Sequence, residues 1–319
     1  MSNGEVQQKT RSGSGSWFWG IMITLVVLAI VFFGASIFYF GKIVSKSSSK
    51  YYERTGSGSE KVAVVDLNFT IISSEPIVKQ FKDFGEDESI KAIILRVNTP
   101  GGGVAASQEM YEAIRKVRDS GKPVIVSISS LGASGGYYAA CGGNIIVADP
   151  GSLVGSIGVI ISLTNFKDLA EKLGVKQTVF KSGELKDAGN PLRELNEKDR
   201  EYFQSIVDDS YDQFLDVVAR ERKINKDTLR NYATGRVYTG RQALDIRLVD
   251  SLGTFDDAIM MAAKLAGIEG EPAIVRKKEK ISFLEMLLES VGKNELKEVK
   301  DELKGEYLDQ PVLQYKFIY

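Results

Sequence analysis

An α/β domain on a mostly parallel sheet, set behind one membrane-spanning helix, is the architecture implied by this sequence of 319 residues. Three observations carry it. Apolar residues make up 43% of the chain and charged residues 26%, with a formal net charge of -1, which suits a globular core and argues against disorder. Short apolar runs alternate with segments of helical period from Val62 onward, the pattern of strands joined by crossover helices. Residues 17–41 contain no charged side chain.

That uncharged run is the first element. At about 1.5 Å per residue it reaches about 37 Å, enough to cross a hydrocarbon core of about 30 Å with some tilt. Trp17, Trp19 and Tyr39 sit near its ends, as interfacial anchors do. It is too long for the apolar region of a cleaved signal peptide. Lys9 and Arg11 precede it, whereas Lys42, Lys46, Lys50 and Arg54 follow, so a count of positive charges leans toward a cytoplasmic domain. Residues 1–16 form a short tail. Residues 42–60, rich in Ser, Gly, Lys and Tyr, read as a polar linker. Ser47 and Lys50 make an S-x-x-K pattern there, with no core to desolvate the lysine.

The domain over residues 61–273 opens with VAVVDL at 62–67. AIILRV at 92–97, PVIVSI at 123–128 and NIIVAD at 144–149 follow as strands. Between the second and third, Ala105 to Asp119 places Met110, Ala113, Ile114 and Val117 at helical spacing. A longer helix is expected over Glu197 to Arg222, with Phe203, Ile206, Val207, Phe214, Val217 and Val218 on one side. Residues 274–319 change character, passing from RKKEK through an amphipathic segment and a charged helix to the apolar terminus PVLQYKFIY. That terminus is expected to pack between subunits or to enter an active site as a substrate mimic or lid.

Composition excludes whole classes of chemistry. The sequence has no histidine, so a Ser/His/Asp triad, a His-ligated metal and a histidine pH switch cannot be built within one chain. One cysteine, Cys141, excludes intrachain disulfides and Cys-rich metal sites. With 41 basic and 42 acidic residues there is no overall bias toward nucleic acid. Neither a metal nor a cofactor is expected.

Two glycine-rich loops remain. GGGVAA at Gly101 to Ala106 fits a loose dinucleotide fingerprint, but the next strand ends in serines where a ribose-binding acid is needed. Its backbone N–H groups suit an oxyanion as well as a phosphate. GASGG at Gly132 to Gly136 centres Ser134 in a G-x-S-x-G pattern. Two roles stay open for Ser134: a cap for the helix that starts after it, or a nucleophile at a helix N-terminus.

Five ordered motifs tie these pieces together. NTPGGG at Asn98 to Gly103, SLGASGGYYAA at Ser130 to Ala140, GSLVGSIGV at Gly151 to Val159, KSGELKDAGNPLREL at Lys181 to Leu195 and YTGRQALDIRLVDSLG at Tyr238 to Gly253 resemble the signal peptide peptidase A family. The resemblance runs from about Val62 to Ile268. It implies a bacterial membrane-anchored serine protease with a ClpP/crotonase-like fold of repeated ββα units, working by a Ser/Lys dyad. Carried over by motif, Ser134 is the nucleophile, Lys186 the general base and Ser156 the residue that orients the lysine. Gly101, Gly102 and Gly135 supply oxyanion N–H groups. The resemblance also implies remnant signal peptides and other apolar peptides as substrates, a homo-oligomer, and a catalytic domain on the extracytoplasmic side of the cell membrane. The competing expectation is a non-proteolytic scaffold, or a crotonase-like acyl-thioester enzyme using the same loops without that pair.

The physical demands of a Ser/Lys dyad are independent of the resemblance. A serine hydroxyl is a weak nucleophile until a base removes its proton, and a lysine amine is a base only when neutral. Moving a lysine pKa from about 10.4 to about 7 needs about 4–5 kcal/mol of differential destabilisation of the ammonium, which burial supplies. Glu184 and Asp187 flank Lys186 and must face elsewhere. Arg247 stands where the resembled proteins commonly carry glycine. Cys141 is expected as a small buried side chain.

Overall fold

The computed structural model describes residues 52–56, 58–277 and 314–316, with six helical positions between residues 21 and 32. The chain divides into two compact units, Met1–Tyr51 and Tyr52–Tyr319. The expected membrane span at 17–41 lies almost wholly outside the described residues, and among those described no helix is long and apolar enough to cross a membrane. The helical part of the C-terminal extension also lies outside them.

The second unit is a mixed α/β fold. Its strands are β1 (Tyr52–Thr55), β2 (Lys61–Leu67), β3 (Ile90–Thr99), β4 (Gly101–Gly103), β5 (Val124–Ala133), β6 (Ile145–Ala148), β7 (Leu153–Gly155), β8 (Val237–Thr239), β9 (Ser251–Leu252), β10 (Ala273–Lys277) and β11 (Gln314–Lys316). The helices are α1 (Glu75–Glu86), α2 (Val104–Asp119), α3 (Gly135–Ala140), α4 (Lys167–Lys172), α5 (Glu197–Arg222), α6 (Lys226–Arg230), α7 (Gly240–Asp245) and α8 (Phe255–Leu265). The main sheet runs β1-β10-β2-β3-β5-β6-β9, parallel from β10 to β9, with β7 beside the far end of β5 and β8 antiparallel to β7.

Both faces of the central strands are covered, which is why they read as unbroken apolar runs. Ala63, Val65, Ile93, Leu95 and Val126 pack on one face with Phe81 of α1, Tyr111 of α2, Tyr137 of α3 and Phe214 of α5. Val62, Val64, Ile94 and Ile125 face Ala258 and Ala262 of α8. The long helix α5 begins at an Asn196/Asp199 capping box and ends where Lys223 turns left-handed at φ 52°.

Two boundaries differ from expectation. Tyr52–Thr55 lies in the expected linker yet forms β1, antiparallel to β10. It is a sheet-edge strand whose described residues 53–55 are exposed, so no apolar alternation marks it. The sheet also continues past residue 273, because β10 pairs in parallel with β2 and Arg276 reaches Asp66 at 3.0 Å.

Candidate active site

The site is built where β3 and β5 end. Their register shifts between Val97 and Thr99, so that Thr99 pairs with Gly132. Such a bulge re-aims the residues that follow it. Gly132 to Ala133 then pair with Val154 to Gly155 of β7, and the chain leaves both strands at a serine. Ser134 has φ 53° and Ser156 has φ 50°. A non-glycine residue held there costs about 1–3 kcal/mol and persists only where its surroundings enforce it. Here the Ser134 N–H donates to the Gly155 carbonyl at 2.7 Å, and the Ser156 N–H donates to the Arg236 carbonyl at 2.9 Å. The backbone of Ser134 is thereby tied to the residue before Ser156.

Ser134 occupies the position before α3, but its side chain makes no capping hydrogen bond. It is 1% exposed, and its Oγ has no hydrogen-bond partner among the described residues. A buried hydroxyl without a partner costs about 1–3 kcal/mol. The capping role left open by the sequence is therefore absent among the described residues, and a buried hydroxyl without a partner there stands in its place.

Every residue of α3 is buried, and its glycines are required by close approach. A Cβ on Gly135 would fall 2.3 Å from Ser107 Oγ and 3.3 Å from the Gly102 nitrogen. A Cβ on Gly136 would fall 2.4 Å from Thr99 Cγ2. The start of α3 thus abuts the triple-glycine strand β4.

The N–H groups of β4 are not equivalent. Gly101 N–H donates to Thr99 Oγ1 at 3.1 Å, and Gly103 N–H donates to the Ile71 carbonyl at 2.7 Å. The expected oxyanion donor set is corrected accordingly: Gly101 is already engaged, because the Thr99 hydroxyl lies within its reach. The other two glycines of that set are Gly135 and Gly102, which stands opposite Tyr315 of β11. Sequence reading missed Thr99, Ser107 and Ile71, of which only Ile71 reaches β4 from a distant segment. Thr99 and Ser107 are local, two residues before Gly101 and four after Gly103, and the Ser107 hydroxyl donates to the Gly103 carbonyl at 2.8 Å.

Lys186 makes no hydrogen bond to Ser134 within the single chain. It is exposed on a 3₁₀ turn at Glu184–Asp187, and its amine makes no hydrogen bond or ion pair to a described residue. The flanking acids face other cations. Glu184 pairs with Lys198 at 2.7 Å, and Asp187 pairs with Lys181 at 2.6 Å and Arg193 at 3.0 Å. Hydrogen bonds from Arg193 and then Lys181 pull the Asp187 carboxyl down to about 2. Arg193 also holds the buried Asp199 at the start of α5, which ties the turn to the body of the domain. Before this turn the chain presents Phe166, Leu169, Leu173, Val175 and Phe180 to solvent, with Phe180 94% exposed.

Strand β11 runs antiparallel to β4, with Tyr315 opposite Gly102, and also lies against α2 and α3. The expected departures elsewhere resolve simply. Arg247 adopts the left-handed turn at φ 62° that glycine would ease. Cys141 is buried, and burial pushes its thiol up to about 12, which removes it as a nucleophile.

The profile of peptidase family S49 matches residues 116–269. A putative protease of Synechocystis is 39% identical over 215 residues, covering 67% of this chain and 77% of that protein. A putative protease of Methanocaldococcus jannaschii is 32% identical over 270 residues, covering 80% and 84%. A putative signal peptide peptidase SppA of Enterococcus faecium is 36% identical over 217 residues, covering 64% and 63%. The chain belongs to peptidase family S49 and is a serine protease.

Proposed function

We propose that the chain is a membrane-anchored endopeptidase that degrades remnant signal peptides and other apolar peptides through a Ser134/Lys186 dyad. The observation that carries this reading is the buried, unpaired Ser134 hydroxyl, held in a strained turn beside the N–H groups of Gly102 and Gly135. The serine attacks the peptide carbonyl as the neutral Lys186 amine takes its proton, and the two N–H groups stabilise the oxyanion. The protonated amine then gives its proton to the leaving nitrogen, and water hydrolyses the ester. Ser156 orients the lysine.

The bulged, bifurcated β5 and the mostly parallel sheet fit a ClpP/crotonase-like fold. Residues 17–41 supply the anchor, 42–51 the tether, 52–277 the protease domain on the extracytoplasmic side, and the residues after 277 the extension. An exposed Lys186 is a poor base until water is excluded. Its apolar, exposed approach segment suits burial against a second copy, so the working form is a homo-oligomer in which a neighbour completes the site. Ser134→Ala and Lys186→Ala are each expected to abolish cleavage of an apolar fluorogenic peptide while sedimenting as folded oligomers. Full turnover by either variant would refute the dyad.

The C-terminal strand β11 acts as a substrate mimic. Successive residues of a strand offer their polar groups to opposite sides. Ile71 engages the Gly101 carbonyl and the Gly103 N–H, so Gly102 offers its own groups to the side where β11 lies. An extended peptide added to β4 would cross the serine in the same way. Truncation at Asp309 is expected to lower KM for peptide substrates, and unchanged kinetics would dispose of this role.

A further inference from the structure

We infer that Thr99 is a positioning residue that aims the Gly102 N–H into the oxyanion site. The inference rests on the reading of Ser134 as nucleophile with Gly102 and Gly135 as donors. Three consecutive glycines are the most pliable sequence a strand can contain, and Gly101 and Gly102 stand at φ 100° and 154°. An oxyanion hole works only when its donors are already fixed before charge develops. Something outside β4 must hold it.

Thr99 is fully buried, and each part of its side chain is engaged. Its hydroxyl donates to the Phe69 carbonyl at 2.6 Å and accepts from the Gly101 N–H at 3.1 Å. Its methyl stands where a Cβ on Gly136 would fall 2.4 Å away, against the helix that follows the nucleophile. The anchored Phe69 leads directly into Ile71, whose N–H donates to the Gly101 carbonyl at 2.8 Å. The peptide unit joining Gly101 to Gly102 is planar and trans, so its carbonyl and its N–H point in opposite directions. Fixing the Gly101 carbonyl on Ile71 therefore turns the Gly102 N–H away from Ile71, toward the side of β4 where β11 lies and where a substrate strand would add. Engaging the Gly101 N–H on Thr99 prevents the preceding peptide plane from flipping. One hydroxyl thus controls both planes that set the donor, and one methyl keeps β4 in register with α3.

Thr99→Val keeps the shape and the methyl but removes both hydrogen bonds, whereas Thr99→Ser keeps the hydroxyl and removes the methyl. With the full-length protein, kcat for an apolar fluorogenic peptide is expected to fall about 10- to 100-fold in Thr99→Val, less than the about 100- to 1,000-fold that loss of a whole oxyanion donor costs, because the Gly102 N–H is misaimed and not removed. KM should stay within about twofold, and Thr99→Ser should recover activity to within about threefold, because ground-state binding does not use the donor. Affinity for a peptide aldehyde, which forms a tetrahedral adduct, should fall in parallel with kcat. Wild-type kcat in Thr99→Val, or a loss confined to KM, would overturn the inference. Should Thr99→Val fail to fold, Thr99→Ser decides: folded protein with near-normal kcat supports the hydroxyl's role, and a folded but inactive protein refutes it. Ser134→Ala separates the two levels. If Ser134→Ala still cleaves, the nucleophile reading fails; if Ser134→Ala is dead while Thr99→Val is fully active, only the role of Thr99 fails.

Discussion

Mixing two inactive variants tests how Lys186 reaches Ser134. In the single chain the Ser134 hydroxyl is 1% exposed and unpaired, whereas Lys186 lies exposed on a turn anchored through Asp187 and Arg193. When each site of a closed ring takes its serine from one subunit and its lysine from the next, Ser134→Ala and Lys186→Ala are complementary. In oligomers assembled at random from equal amounts, half of the subunits carry the serine, and half of their neighbours carry the lysine. Turnover should therefore return to about a quarter of the wild-type rate. The two variants would be purified separately with different tags, exchanged in mild detergent, and recovered by sequential affinity steps so that only mixed oligomers are assayed. Hydrolysis of an apolar fluorogenic peptide gives the rate. Background turnover by verified mixed oligomers would refute supply of the lysine by a neighbour.

Three other outcomes are expected. In a Lys186→Ala background, Ser134→Ala should raise stability by about 1–2 kcal/mol, or about 3–6 °C in Tm by calorimetry, because it removes a buried hydroxyl without a partner; a lower Tm would contradict that. Gly102→Ala places a Cβ 2.0 Å from the Ile71 carbonyl oxygen at a φ of 154°. It should cost at least about 100-fold in kcat, and a variant with normal turnover would remove Gly102 from the site. The Asp187 carboxyl is held at about 2, below its ordinary 3.8, so its contribution is complete above about pH 4 and is lost as pH falls through about 2. Limited proteolysis should cut near residues 184–187 increasingly over that interval, and Asp187→Asn should be cut there at pH 7; equal resistance in both would show that the pair does not hold the turn.

How much was legible follows from where the information lies. The central strands could be read because burial on both faces leaves an apolar residue at nearly every position from Val62 to Val65 and from Ala92 to Leu95. The course of α5 could be read because Phe203, Ile206, Val207, Phe214, Val217 and Val218 fall on one side at helical spacing. Edge strand β1 carries no such pattern, since burial imposes none on it. Ser134 was visible with two roles open, and only geometry could remove the capping one: its hydroxyl caps nothing among the described residues. The engagement of Gly101 was hidden for a different reason. It depends on Thr99, whose orientation is set by Phe69 thirty residues away in the chain. The setting of Lys186 was hidden as well, because its neighbours Glu184 and Asp187 read as competing partners until Lys198, Lys181 and Arg193 are seen to take them.

The most direct measurement is acylation of the intact protein by a fluorophosphonate probe, with the modified residue mapped by mass spectrometry. Labelling is expected at Ser134 alone, lost in Ser134→Ala and strongly slowed in Lys186→Ala. Labelling at another residue, or undiminished labelling without Lys186, would contradict a serine activated by that amine.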